Sequence, residues 1–235
     1  QVQYLSKNNT VEPVHQTSWG ITTRTIGALI MVHGDDSGLV LPPRIAPVQV
    51  NIIPIQQNKE GVLDKAFDLM NTLMDAGLRV KVDDSDKTPG FKFADSEVRG
   101  IPLRLEIGPK DIEAGQVVLV RRDTREKIVV SFQNLVEESK KLLEQIQKDM
   151  YNRALTFQKE RTTDAKSLDE LVASLDKKPG FVRAMWCGCR ECEEKLKEYS
   201  GITSRCIPAK QEKIADTCVV CGRPATKMVY WGRAY

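Results

Sequence analysis

All six cysteines of this 235-residue chain lie close together, between Cys187 and Cys221. A disulfide framework would be spread along a small secreted chain, and the N-terminal QVQYLSKNNT has no apolar core of a signal peptide. Cysteines gathered in one region of such a chain are typical of reduced thiols around a metal ion. We therefore expect the C-terminal part to fold around a metal site, with a set of buried, inert cysteines as the alternative.

The spacing of these cysteines favours zinc. Cys218 and Cys221 are separated by two residues and followed by a glycine, so two thiolates can bind one tetrahedral ion while the backbone turns tightly. The upstream pair stays open, because either Cys187 or Cys189 can act together with Cys192. A site of four cysteines leaves no position for water, so we expect a structural zinc site rather than a catalytic one.

Composition sets wide limits on function. The hydrophobic content of 41% is ordinary for a globular protein, and 35 Lys and Arg against 32 Asp and Glu give a net charge of +3. This balance permits an RNA partner without arguing for one. The longest apolar run, residues 28–32, is too short to span a membrane. Because the chain has no initiator Met, we expect a fragment of a longer cytoplasmic protein.

The middle of the chain alternates between strand and helix patterns. Residues 48–55 are almost continuously apolar, as expected of a strand covered on both faces. Apolar residues recur at helical spacing over residues 59–76, and Gly77 stands where a helix end favours a left-handed residue. Further strands are predicted over residues 78–82, 103–107, 116–121 and 127–130, and a helix over residues 91–99. Such alternation predicts a mixed or parallel sheet with helices packed on it.

The flanking regions give four further predictions. A short helix is predicted around residues 26–33, and a buried strand over residues 39–41 that ends at two prolines. Residues 134–157 carry an apolar stripe and oppositely charged pairs four residues apart, which predict a long helix. A short amphipathic helix is predicted over residues 168–175.

Two groups of residues could contact anions. The hydroxyls of residues 17–24 and the guanidinium of Arg24, two residues after Thr22, can address phosphate or carboxylate oxygens, although chemistry alone favours helix capping by Thr22 or Thr23 with a solvated Arg24. Arg44 follows two prolines that fix the backbone, so its guanidinium can stack on a purine or bind a phosphate. A solvated surface arginine is the alternative, and chemistry alone does not decide.

Two longer segments resemble a known family. TSWGITTR at residues 17–24 and GLVLPPR at residues 38–44 resemble the end of the catalytic domain of prolyl-tRNA synthetases, which are class II enzymes. The similarity is to the type that lacks a bacterial editing insertion and carries a C-terminal zinc domain. It implies that Arg44, as the motif 3 arginine, contacts ATP. Four more residues are implied at the ATP and proline site: Trp19, Gly20, Thr22 and Arg24.

The resemblance continues through TPGFKF at residues 88–93 and GIPLRLEIGPKD at residues 100–111, which look like the anticodon-binding domain of that family. It implies polar contacts with anticodon bases from Lys92, Glu97 and Lys110. Phe91 or Phe93 can stack on an unpaired base, with a place in the hydrophobic core as the alternative for each.

The C-terminal tail also resembles the family. In that family the zinc ligands come as a wider upstream cysteine pair and a tighter downstream pair, so the resemblance implies the ligands Cys187, Cys192, Cys218 and Cys221. Cys189 is then an additional cysteine and a competitor for the upstream position. The tail ends in an aromatic segment whose terminal tyrosine, Tyr235, would bring its carboxylate close to the active site. Arg125 departs from the family pattern, since relatives often have a hairpin glycine there.

The resemblance implies an α/β chain in three parts. Residues 1–50 would end a class II catalytic domain, residues 51–155 would form a mixed-sheet anticodon-binding domain, and residues 156–235 would form a small α+β zinc domain. The parent enzyme would use ATP with Mg²⁺ to activate proline, transfer it to tRNA(Pro), and act as a homodimer. Class II catalysis also needs the motifs numbered 1 and 2, which are not among these residues, so we expect this chain alone to be inactive. The competing hypothesis is a tRNA-binding fragment without chemistry.

Overall fold

The computed structural model describes residues 2–233, with only the backbone described at residues 199 and 200. The chain forms two compact units, residues 1–146 and 147–235. Among the described residues, no helix combines the length and the apolar character needed to cross a bilayer.

Among its described residues, the first unit contains seven strands and four α-helices, and a fifth α-helix begins in it. The strands are β1 Gln3–Leu5, β2 Val11–Pro13, β3 Val50–Pro54, β4 Val80–Val82, β5 Leu103–Ile107, β6 Gln116–Arg121 and β7 Lys127–Ser131. The helices are α1 Arg24–His33, α2 Val62–Asp75, α3 Pro89–Val98, α4 Pro109–Glu113 and α5 Leu135–Glu160. The β1–β2 hairpin and α4 were not predicted.

Five of these strands form one mixed sheet in the order β4-β3-β5-β6-β7. β3 pairs in parallel with β4 and β5, whereas β5, β6 and β7 pair antiparallel. Every residue of β3 and β5 is buried, as expected of strands covered on both faces. The predicted mixed α/β fold is confirmed. Arg125, in the β6–β7 turn, has a positive φ of 62°, a conformation that favours glycine.

Helix α2 packs its apolar stripe onto the sheet through Val62, Ala66, Leu69 and Leu73, which are all buried. Gly77 follows with a φ of +86°, which confirms the predicted left-handed helix end. Full burial of a valine or leucine side chain, such as those of Val62, Leu69 and Leu73, stabilises the fold by about 1.5–3 kcal/mol each.

Helix α3 covers a polar part of the sheet. Arg104 on β5 is buried and makes 2.9 Å ion pairs with Glu97 of α3 and with Glu106. Its guanidinium also lies 4.4 Å from the ring centroid of Phe93. These partners satisfy a charge that would be costly to bury alone.

Residues 39–41 form no strand, contrary to the prediction. Val40 is buried, but the amides of Leu39 and Leu41 donate to the carbonyls of Val98 and Gly100 instead of a sheet partner. The apolar pattern predicted correctly that Val40 is buried. Burial alone, however, does not determine whether a segment pairs with a neighbouring strand.

The second unit contains β8 Thr162–Asp164, α6 Leu168–Lys177, β9 Phe181–Trp186, α7 Arg190–Ser200, β10 Ile202–Cys206 and β11 Lys227–Arg233. Its sheet has the order β10-β11-β9-β8, with β8 and β9 parallel and the other pairs antiparallel. Leu171, Leu175 and Leu196 pack with the fully buried Trp231 to form its core. Only α6 of these elements was predicted.

Candidate functional site

Four cysteine thiols of the second unit converge: Cys187, Cys192, Cys218 and Cys221 have sulfur atoms that all lie within 4.8 Å of one another. The Cys187 Sγ lies 3.7 Å from that of Cys192 and 3.8 Å from that of Cys221. Four metal–sulfur bonds of about 2.3 Å in a tetrahedron require sulfur atoms about 3.8 Å apart. The cluster therefore fits one thiophilic metal ion.

Local backbone geometry aims the thiols at one point. The upstream pair comes from the residue after β9 and from the first turn of α7. The downstream pair lies in a tight turn, in which the Cys218 amide donates to the Arg223 carbonyl at 2.7 Å. Gly222 has a φ of +72° and donates its amide to the Cys218 carbonyl at 3.0 Å. Glycine adopts this conformation without strain.

Cys189 lies beside the cluster and outside the group of four. Its thiol donates to the Glu191 carboxylate at 2.7 Å and accepts from the Arg223 guanidinium at 3.2 Å. The same guanidinium lowers the pKa of the Cys221 thiol to about 6, whereas burial raises the pKa of Cys192 to about 12. Metal binding at this cluster must therefore release a proton from a buried thiol.

A second candidate site is a pocket of about 280 Å³ at the carboxyl end of β3, lined in part by Pro54, Gln57, Pro89 and Lys92. The chain leaves β3 for β4 on one side and returns to β5 on the other. In open α/β sheets, ligands bind outside the carboxyl ends of the strands, where the strand order reverses. The topology therefore marks this edge as a ligand site.

Lys92 lies at the floor of this pocket, with 1% of its surface exposed. Its ammonium donates to the Gln57 side-chain oxygen at 2.7 Å and to the Asp83 carbonyl at 2.8 Å. The carboxylate of Asp83 is 4.0 Å away. The lysine thus orients the amide of Gln57 inside the pocket, and its own contact with an anticodon base stays a prediction.

The other two predicted anticodon residues lie apart: Lys110 is in α4, just after the carboxyl end of β5, whereas Glu97 is near the end of α3, beside Arg104 of β5. Lys110 is exposed, whereas Glu97 is half-buried and paired with Arg104. Phe91 in the first turn of α3 is 55% exposed, so its ring is open for stacking. Phe93 instead packs on Arg104, which agrees with a core position for one of the two rings.

The residues predicted to contact ATP are accessible. Trp19, Gly20, Thr22 and Arg24 are exposed, and Trp19 is 92% exposed. Thr23 precedes α1 without a capping hydrogen bond from its side chain. Arg44 pairs with Glu144 of α5 at 3.0 Å on the surface. Tyr235 lies outside the described residues.

Sequence reasoning missed Gln57, Arg79 and Arg122, which organise these sites. Gln57 shows one usable signal, a polar residue just after a buried parallel strand. Arg79 and Arg122 show none, since their partners are distant in sequence: Arg79 donates to the carbonyls of Pro43 and Ala46 at 2.8 Å.

Comparisons with known proteins agree with this architecture. Residues 49–142 match the family model of the anticodon binding domain, and residues 168–235 match that of the prolyl-tRNA synthetase C-terminal domain. Over 234 residues the chain is 60% identical to the proline–tRNA ligase of Lachnoclostridium phytofermentans and 58% identical to that of Lachnospira eligens. It is 54% identical to proline–tRNA ligase 2 of Bacillus thuringiensis subsp. konkukian. The alignments cover 100% of this chain and 49% of each relative.

The fold, the pocket at the strand ends and these matches define an α/β chain with an anticodon-binding domain and a cysteine-bearing C-terminal domain. The chain spans about half the length of the curated relatives it matches. It carries the two matched domains in this order and corresponds to the C-terminal part of the proline–tRNA ligases that it is similar to.

Proposed function

We propose that this chain is the C-terminal half of a proline–tRNA ligase. The whole enzyme would activate proline with ATP and Mg²⁺ to prolyl-adenylate and transfer the prolyl group to tRNA(Pro). The observation that carries the proposal is the anticodon-binding fold with its polar pocket, followed by a domain that matches prolyl-tRNA synthetases. We further propose a homodimer that acts in the cytoplasm.

The proposed division of labour follows three segments. Residues 1–50 supply motif 3, residues 51–155 bind the anticodon, and residues 156–235 form the zinc domain. Anticodon recognition is assigned to the pocket because unpaired bases are recognised through hydrogen bonds to their edges and stacking on aromatic rings. The Gln57 amide nitrogen already donates to the Asp84 and Ser85 carbonyls at 3.2 and 3.1 Å, so the acceptor proposed for a base edge is the second lone pair of its oxygen, which also accepts from Lys92. The exposed Phe91 ring offers a stacking surface.

The proposed ATP side uses exposed residues before the sheet. Arg44 would neutralise phosphate charge or stack on the adenine, helped by Thr22 and Arg24, while Trp19 and Gly20 line the proline pocket. Such sites act by positioning reactants and by stabilising developing charge. The support from the structure is that the Arg44 side chain is accessible while its neighbours Pro42 and Pro43 are buried and hold its backbone. Tyr235 is proposed to support the active site through its terminal carboxylate.

The metal centre is proposed to hold structural Zn²⁺ through Cys187, Cys192, Cys218 and Cys221. Zinc bound there would stabilise the turn and helix that carry the thiols and would take no part in the reaction. The support is the set of four thiols within 4.8 Å of one another, with two sulfur–sulfur distances of 3.7 and 3.8 Å close to the value for a tetrahedral ion.

The test compares this chain with the full-length protein. Proline-dependent exchange between ATP and pyrophosphate and charging of tRNA(Pro) are expected from the full-length protein, and neither from this chain alone. A full-length protein that activates another amino acid and not proline would refute the proposal. Exchange by the isolated chain would refute the assignment of motifs 1 and 2 to the missing half.

A further inference from the structure

A backbone junction joins the segment between α1 and β3 to the end of α3. The Leu39 amide donates to the Val98 carbonyl at 3.0 Å, and the Leu41 amide donates to the Gly100 carbonyl at 3.1 Å. A Cβ at Gly38 would lie 2.6 Å from the Val98 Cα, and one at Gly100 would lie 2.5 Å from the Leu39 carbonyl carbon. The two backbones are in direct contact, so neither can shift independently of the other.

A buried arginine clamps the same junction. Arg122 follows β6, and its side chain is 2% exposed. Its two terminal nitrogens donate to the Asp35 carboxylate at 2.8 and 2.6 Å, and its Nε donates to the Glu97 carbonyl at 2.9 Å. A bidentate pair between a planar guanidinium and a carboxylate fixes orientation as well as distance. The clamp therefore ties the residues after α1 to the end of α3 and to the sheet.

The far end of the same segment presents Arg44. Its backbone is held by Arg79, whose Nε donates to the Ala46 carbonyl and whose Nη2 donates to the Pro43 carbonyl, both at 2.8 Å. Gln49 adds a hydrogen bond of 3.1 Å to the Pro43 carbonyl. The position of Arg44 is thus determined by contacts at both ends of its segment.

Helix α3 also reaches the pocket at the strand ends. Its first residues, Pro89 and Lys92, line that pocket, whereas Val98 at its end holds the junction. A helix of 10 residues is about 15 Å long and moves as a unit. One rigid element therefore contacts both the proposed anticodon pocket and the segment that presents Arg44.

We propose that α3 and the Arg122–Asp35 clamp link occupation of the anticodon pocket to the placement of Arg44. This inference rests on the proposed function. When a base binds beside Lys92, it stabilises one position of α3. Because the junction is close-packed, that position of α3 also determines the position of the segment that presents Arg44. Asp35 and Arg122 are positioning residues, since they act through Arg44 rather than on a substrate.

The test uses the full-length enzyme and the variant Asp35→Asn, which keeps the side-chain shape but removes the charge that Arg122 binds. Arg122→Lys is the second variant, because it keeps the charge but loses the planar fork. Asp95→Asn is the matched control, since it breaks a 2.7 Å surface ion pair with Arg99 at the end of the same helix. For each protein, kcat and KM are measured for tRNA(Pro) and for the same tRNA with the anticodon bases exchanged, after melting confirms folding.

The link predicts a specific loss of coupling. The link predicts that the anticodon exchange lowers kcat in the original enzyme and that this drop shrinks at least about fivefold in both clamp variants, as expected of coupling between sites. The KM for tRNA should change by less than about twofold, because the pocket itself is intact. Asp95→Asn should retain the full drop. A drop of equal size in the clamp variants and the original enzyme would overturn the link and leave the proposed function standing. A full-length enzyme that does not charge tRNA with proline would overturn both.

Discussion

The substitution Gly100→Ala tests the closest backbone contact in the first unit. Gly100 has a φ of +69° and lies against the Leu39 backbone. Gly115 provides a matched control, because its φ is +66° and a Cβ added there would meet nothing within 4 Å. Both alanine variants carry the same backbone strain, and only Gly100→Ala adds a collision.

The magnitudes follow from these two terms. A left-handed conformation costs a residue with a Cβ about 1–2 kcal/mol, so Gly115→Ala should lower the free energy of unfolding by about that amount. At Gly100 the added carbon would lie 2.5 Å from the carbonyl carbon and oxygen of Leu39, which are backbone atoms and cannot rotate away. Overpacking of this kind costs about 1–3 kcal/mol more. The total for Gly100→Ala is about 2–5 kcal/mol.

Native-state hydrogen exchange measures this difference for the first unit alone. Peptides that cover β3 and β5 report its free energy of opening, independently of unfolding in the second unit. Gly100→Ala should lower that free energy by at least about 1 kcal/mol more than Gly115→Ala. Equal losses in the two variants would show that the backbones of Gly100 and Leu39 are not in contact.

Three further predictions concern charge, metal and stacking. The Arg122 guanidinium lowers the pKa of Asp35 to about 2. The ionised carboxylate therefore stabilises the fold fully above the unfolded pKa of about 4, and this contribution is lost as the pH falls through about 2. The free energy of unfolding in urea should thus decrease as the pH falls from about 4 to about 2, and Asp35→Asn should remove this part of the decrease. Cys218→Ser should abolish tight zinc binding and the protection of the second-unit sheet from hydrogen exchange. The control Cys206→Ser, at an exposed thiol outside the cluster, should preserve both. Retention of the same amount of zinc by the two variants would contradict the ligand set. Phe91→Ala should weaken tRNA binding by about 1–3 kcal/mol without loss of stability. The control Val129→Ala, at a similarly exposed residue on β7, should leave tRNA binding unchanged. Unchanged affinity in both variants would exclude stacking by Phe91.

Much of the central sheet was predictable because local patterns there agree with the global fold. The bounds of β5 and β6 were predicted correctly: β5 alternates apolar and charged residues, β6 is mostly apolar, and turn residues enclose both. Helix α2 was predicted from its stripe and its terminal glycine. In such elements burial and periodicity carry the same information.

The sites were less predictable because their contacts join distant residues. The clamp joins Asp35 to Arg122, and a single sequence contains no sign of such a pair. Lys92 has the residue type of a solvated surface position, yet it is buried, because Gln57 and Asp83 supply hydrogen bonds that replace water. Spacing alone left Cys187 and Cys189 as alternatives, whereas in the structure the Cys187 thiol lies in the cluster and the Cys189 thiol donates to the Glu191 carboxylate.

The most direct test of the central claim is filter binding of this chain to tRNA(Pro) and to the same tRNA with its anticodon bases exchanged, at two salt concentrations. Base recognition predicts that the exchange weakens binding at both salt concentrations. Phosphate contacts alone would make both tRNAs bind equally and weaken together as salt rises. That second result would contradict the assignment of anticodon recognition to the pocket beside Lys92.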